Sequence, residues 1–272
     1  MRALPGRLVL LGHPVGHSLS PRFQNAALRR AALPLTYEAL DVPPDMLEGA
    51  LDELVAANAA GNVTIPHKQA VFARCARRSA LAERVGAVNT FWIDDGVLVG
   101  DNTDVAGFLD LLWSAVPNAD PARPAAVIGA GGSAGAVLTA LEHEGFENVR
   151  VHGRTAARAI ALCERFGRAA PAISLVDAVR GASLVVNATP AGLDGRGVPF
   201  DVDLVEPDAA LLDLVYAQGR ETPLVDAARA RGLVAASGLE MLLGQGARAF
   251  ELWFGTAPDR TVMREALAAE TF

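Results

Sequence analysis

Cysteine is nearly absent from this chain of 272 residues: there are two, Cys75 and Cys163, far apart and in no CxxC pair. That excludes a disulfide framework and a structural zinc site built on thiolates, and no metal is expected. Each is read as a small core hydrophobe, and a reducing cytoplasm fits. Positive charge is in deficit too. The formal net charge of −7 argues against nucleic acid or an anionic membrane as the main partner. An anionic small-molecule substrate must then be captured by a local site. No apolar run is long enough to span a membrane; the stretch from Met1 to Leu11 breaks at Gly12-His13-Pro14 and is read as a first strand. Lysine is scarce beside arginine, which we read as coding bias. What remains is an ordinary globular balance of hydrophobic and charged residues, in a length that suggests about two domains.

The patterning predicts a strand over 7–11, a helix opened by Ser20-Pro21 and ended before Pro34, and a strand over 36–40. A helix is expected from Asp45 to a stop near Gly61, then a short strand over 62–65 and a helix from Pro66. Strands over 87–93 and 96–99 flank Asp94-Asp95-Gly96, a hairpin signal. After a helix over 105–116 and a Pro-rich connector, strands at 125–128, 149–152, 184–187 and 211–214 alternate with helices at 133–144, 156–166 and 223–231. That alternation implies βαβ units and a parallel sheet, an α/β fold. A long amphipathic helix over 239–254 follows.

Gly129-Ala130-Gly131-Gly132-Ser133-Ala134 follows an expected strand and opens an expected helix. Glycine there allows a tight turn and close approach of a pyrophosphate to the backbone, where a helix N-terminus offers free N–H groups. The plain alternative is a strand–helix turn with no ligand. An NAD-binding turn usually has an acidic residue at the end of the next strand. Here that place reads Val151-His152-Gly153-Arg154-Thr155-Ala156-Ala157-Arg158. Arg154 and Arg158 can face a 2′-phosphate and Thr155 can donate to it, so NADP is favoured over NAD.

Four polar clusters mark the N-terminal half. In His17-Ser18-Leu19-Ser20-Pro21, two hydroxyls beside a helix start suit a carboxylate, although spacing alone favours Ser20 as a simple cap. Asn62-Val63-Thr64-Ile65-Pro66-His67-Lys68 places a lone Lys just inside a helix start, where a cation is disfavoured unless it has a task such as proton transfer. The third and fourth are Gly86-Ala87-Val88-Asn89-Thr90 and Asp101-Asn102-Thr103-Asp104, whose Asp104 can serve only as a cap. Spacing alone does not show that these groups converge.

Those motifs, with Asn187-Ala188-Thr189-Pro190-Ala191-Gly192, Asp213-Leu214-Val215-Tyr216, Thr222-Pro223-Leu224 and Gly238-Leu239-Glu240-Met241-Leu242 with Gln245, stand in the order seen in shikimate dehydrogenases, which the chain resembles over nearly its whole length. The resemblance implies two α/β domains with a cleft between them: a substrate-binding domain of residues 1–104 joined by the C-terminal helix 239–272, and a Rossmann-like NADP-binding domain over 105–238. It implies NADPH-linked, reversible reduction of 3-dehydroshikimate to shikimate in the pathway to chorismate and the aromatic amino acids. Carried over position by position, Ser18 and Ser20, helped by Tyr216, hold the carboxylate. Thr64, Asn89, Asp104 and Gln245 hold ring hydroxyls, Lys68 and Asp104 form the catalytic pair, and Leu214 and Gly238 line the nicotinamide.

The chain departs from the family pattern at Gly153, where Asn is usual, at Gly246, where Ala is common, and at Val105, where Gly is frequent. The alternatives are a paralogue acting on quinate or an aminated shikimate, a non-catalytic NADP-binding sensor, or an amino-acid or folate-type dehydrogenase of similar build. Ser20, the absence of an acid near the cofactor ribose, and the presence of both Lys68 and Asp104 favour the shikimate reading over these alternatives. The oligomeric state is left open, with a homodimer as one alternative.

Overall fold

A computed structural model describes residues 4–269; the start of the expected first strand at 1–3 and the end of the C-terminal segment at 270–272 lie outside them. The chain divides into two compact units, one holding residues up to Asp104 and from Leu242 onward, the other Val105–Met241.

The first unit contains β1 (Arg7–Gly12), α1 (Ser20–Arg30), β2 (Tyr37–Asp41), α2 (Leu47–Ala56), β3 (Ala59–Val63), α3 (Lys68–Arg74), β4 (Arg77–Arg78), α4 (Ala80–Val85), β5 (Thr90–Asp94) and β6 (Val97–Asp101). Its six-stranded sheet has the order β2-β1-β3-β5-β6-β4. Leu8, Val9, Leu10 and Leu11 are buried along the whole of β1, as expected of a strand covered on both faces. The hairpin turns on Asp95 and Gly96, both with positive φ. Gly61 does not stop a helix as expected. Asn58 takes the left-handed conformation that leads out of α2, and Gly61 lies inside β3, paired with Val9.

The second unit is entered by α5 (Asp104–Ala115) and continues through β7 (Ala125–Ile128), α6 (Ala134–His143), β8 (Val149–His152), α7 (Ala156–Cys163), β9 (Ala169–Pro171), α8 (Leu175–Val179), β10 (Leu184–Asn187), β11 (Ala210–Asp213), α9 (Pro223–Ala230) and β12 (Val234–Ser237). The sheet is parallel throughout, in the order β12-β11-β10-β7-β8-β9. In the unit's own sequence this is 6-5-4-1-2-3, the doubly wound arrangement, whose crevice opens beyond the strand ends where the order reverses, between β7 and β10. Then come α10 (Leu239–Phe254) and α11 (Arg260–Ala268), the latter packed on α1 in the first unit; the helix expected over 239–272 is thus two, broken at Gly255, whose φ is positive.

Candidate active site

Strand register explains why distant polar clusters of the first unit meet. Asn62 pairs with Thr90 across β3 and β5, and Thr90 pairs with Asp101 across β5 and β6. The segments leaving these strands therefore lie side by side. Lys68, the first residue of α3, places its Nζ 2.6 Å from Asp104 Oδ2, and both side chains are buried. Asn89 Nδ2 donates to Asp104 Oδ1 at 2.8 Å and to Thr103 Oγ1 at 3.0 Å, with Gln245 Oε1 at 3.4 Å. Asp104 is not a helix cap: its own N–H is satisfied by Asn102 Oδ1, and its carboxylate faces Lys68 and Asn89. Pairing across 36 residues offsets the misfit of a cation at a helix start.

Ser20 is not a cap either. Leu19 occupies the cap position of α1, and Ser18 Oγ accepts from the Ser20 N–H. One turn on, on the face shared by Ser20, Gln24 donates to the Gly246 carbonyl. Gly246 adjoins Gln245, the residue whose Oε1 meets Asn89. Thr64 is held through its backbone, with its N–H on the Leu11 carbonyl and its own carbonyl taken by His67 N–H.

Three supporting groups escaped the sequence reading. The Tyr37 hydroxyl donates to Asn62 Oδ1, Asn62 Nδ2 donates to the Asn89 carbonyl, and Trp253 Nε1 donates to Thr90 Oγ1. His67, also buried, bonds through Nε2 to the Val42 carbonyl and so fixes the entry to α3. Asn62 and His67 stood in a quoted motif and were the available signal; Tyr37 and Trp253 carried none.

In the second unit a cavity of about 760 Å³ opens at the reversal of strand order. Gly129, Ala130 and Gly131 form one wall, and Arg154, Thr155 and Arg158 line another part. Gly132, Ser133 and Ala134 are not on that wall; Ser133 occupies the cap position of α6 and Ala134 begins the helix. Thr155 occupies the cap position of α7 without making a side-chain cap bond, which leaves its hydroxyl uncommitted to the helix. No carboxylate stands among the described residues lining the cavity. His152, Leu175, Pro199 and the Ala188–Ala191 segment line it as well. Of these, His152 and the Asn187-to-Gly192 motif stood in quoted stretches, while Leu175 and Pro199 carried no signal.

The cavity fits a dinucleotide. Gly129 has φ +123°, and a Cβ there would stand 2.8 Å from the Ala188 carbonyl, so only glycine lets the turn close. A Cβ on Gly238 would stand 2.3 Å from the Leu214 carbonyl oxygen, so these two predicted neighbours do meet, backbone against backbone. Tyr216 lies half-buried on the segment after β11.

Three family models match successive parts of the chain: the shikimate dehydrogenase substrate binding domain over residues 10–91, shikimate/quinate 5-dehydrogenase over 117–193, and the shikimate 5′-dehydrogenase C-terminal domain over 238–268. A shikimate dehydrogenase (NADP(+)) from Mesorhizobium japonicum is 44% identical over 265 residues, covering 94% of this chain and 93% of the relative. The chain belongs to the shikimate dehydrogenase family. Among solved structures of that family, the Thermus thermophilus enzyme in complex with NADP(H) and shikimate matches with TM-score 0.85 and 43% identity, over 97% of this chain and 98% of the other. A quinate dehydrogenase from Corynebacterium glutamicum in complex with NAD matches with TM-score 0.85 at 32% identity, over 95% and 97%. No helix among the described residues is long and apolar enough to cross a membrane.

Proposed function

We propose that this chain catalyses the reversible, NADP-linked reduction of 3-dehydroshikimate to shikimate. The observation that carries the reading is the buried Lys68–Asp104 ion pair, in a chain similar from end to end to NADP-dependent shikimate dehydrogenases. Residues 1–104 with the C-terminal segment from 239 take the substrate, and 105–238 take the cofactor.

When bound, NADPH supplies the hydride. Negative charge then grows on the substrate's carbonyl oxygen, and the Lys68 ammonium stabilises that charge and gives the oxygen a proton. Asp104 orients the ammonium through Oδ2, while Asn89 holds Asp104 through Oδ1. Asn89, Asp104, Gln245 and Thr64 receive the ring hydroxyls, and Ser18 with Ser20 receives the carboxylate. Gly129 to Gly131 cradle the pyrophosphate, and Arg154, Thr155 and Arg158 hold the 2′-phosphate. The cavity's lack of a carboxylate favours NADP over NAD and sets the chain apart from the NAD-linked quinate reading. A cytoplasmic location accords with two reduced, buried thiols. Light scattering on the purified protein separates a monomer from a homodimer.

The test is a spectrophotometric assay with shikimate or quinate and NADP or NAD. Oxidation of shikimate with NADP alone is expected. Quinate turnover or an NAD preference would move the protein to the paralogue reading, and NADP binding without turnover would make it a sensor.

A further inference from the structure

Asp213, at the end of β11, is 1% exposed and lies outside the residues assigned above to substrate or cofactor. Its Oδ1 accepts from Asn187 Nδ2 at 2.8 Å and from the Val215 N–H at 3.1 Å, and its Oδ2 accepts from Thr222 Oγ1 at 2.6 Å. Burial pushes its carboxyl above the ordinary carboxylate range, while the bonds from Thr222, Asn187 and Val215 pull it back. A carboxylate can only accept, so the amide of Asn187 has one orientation: NH2 toward Asp213 and Oδ1 away from it. That Oδ1 accepts from Thr189 Oγ1 at 2.7 Å and from the Thr189 N–H at 3.1 Å. Flipping the amide would set its NH2 against the Thr189 N–H. Thr189 Oγ1 accepts in turn from the Ala191 N–H. The 188–189 peptide lies directly against Gly129, and Ala188 to Ala191 form part of the cavity wall.

We infer that Asp213 is a positioning residue for the cofactor site: by fixing the amide of Asn187 it holds the 188–191 wall in the shape that accepts the dinucleotide. The inference rests on the reading of this cavity as the NADP site. Every link of the relay lies in the second unit.

The test is NADPH binding by fluorescence, beside KM for shikimate at saturating NADP, on the full-length protein. Asp213→Leu leaves the Asn187 amide and the Val215 N–H without an acceptor, and is expected to raise the NADPH Kd by about tenfold or more. Asn187→Asp sets two carboxylates against each other and is expected to do the same. Adding Asp213→Asn to Asn187→Asp restores a donor–acceptor pair between the two side chains but sets the new NH2 against the Val215 N–H, and should therefore recover only part of the affinity that Asn187→Asp loses. KM for shikimate stays within about threefold throughout, a split that general loss of stability would not produce. Should Asp213→Leu fail to fold, the Asn187→Asp single and double variants decide alone. Unchanged NADPH binding in the variants, a double variant that binds NADPH no better than Asn187→Asp, or a parallel rise in KM for shikimate overturns the inference. Wild-type protein that does not bind NADPH at all overturns the NADP reading with it.

Discussion

Lys68 and Asp104 form a buried ion pair at 2.6 Å, and Lys68 is the only lysine in the chain. Every other basic side chain apart from histidine is arginine, whose guanidinium does not release a proton at working pH. The one ε-ammonium able to exchange a proton is thus placed against a carboxylate. Uniform lysine labelling therefore gives a single side-chain nitrogen signal from this site, and Asp104→Asn is expected to shift it.

Lys68→Ala is expected to lower kcat by about a thousandfold, within the usual range for removal of a general acid, and to raise KM far less. The reason is that Lys68 acts on charge that develops during the reaction. Steady-state kinetics with shikimate and NADP measure both constants. A variant with near-normal kcat would remove Lys68 from the chemistry.

Replacing Arg154 and Arg158 together by Ala should raise KM for NADP by about a hundredfold, because each charged contact to a phosphate contributes roughly 1.5–3 kcal/mol. KM for NAD, which lacks the 2′-phosphate, should hardly change. Equal losses with both cofactors would mean that the arginines do not read the phosphate.

Legibility differed between the two units for a physical reason. In the second unit each signal was local: a compact apolar strand, then glycine or a cap, then a helix, so β7, β8 and β10 fell where expected. Elements too short or too polar for periodicity went unread, among them β4, β9 and α8, along with β12. In the first unit the four polar clusters were visible, but their meeting was not. It depends on the Asn62–Thr90–Asp101 register, which no spacing along the chain encodes. Ser20 was read as one possible cap because its residue type suits one; in the structure Leu19 has that place.

Gly246 shows a case where the local rule and the packing oppose each other. Alanine is better in a helix by up to about 1 kcal/mol. Yet a Cβ at 246 would stand 2.4 Å from Phe23 Cε2, inside the packing of α1 on α10. Overpacking of this kind costs about 1–3 kcal/mol. Gly246→Ala is therefore expected to lower Tm, by roughly 2–4 °C for a net loss near 1 kcal/mol. Calorimetry on the variant checks it, and a rise in Tm would mean that Phe23 shifts without cost.

The two thiols set an alkaline limit on stability. Burial pushes Cys75 and Cys163 from 9.0 to about 11. Near pH 8 the thiolate fraction of either is then about a hundredfold below that of an exposed cysteine, so both should resist a thiol reagent until the chain unfolds. The unfolded chain loses these protons first as pH rises, so the stability they contribute is whole below pH 9 and is lost as pH climbs through about 11. Wild type should therefore lose Tm more steeply over that window than a Cys75→Ala/Cys163→Ala variant, which has no thiol to titrate. Thermal melts at closely spaced pH values compare the two slopes. Equal slopes would mean that the buried thiols do not govern the alkaline loss.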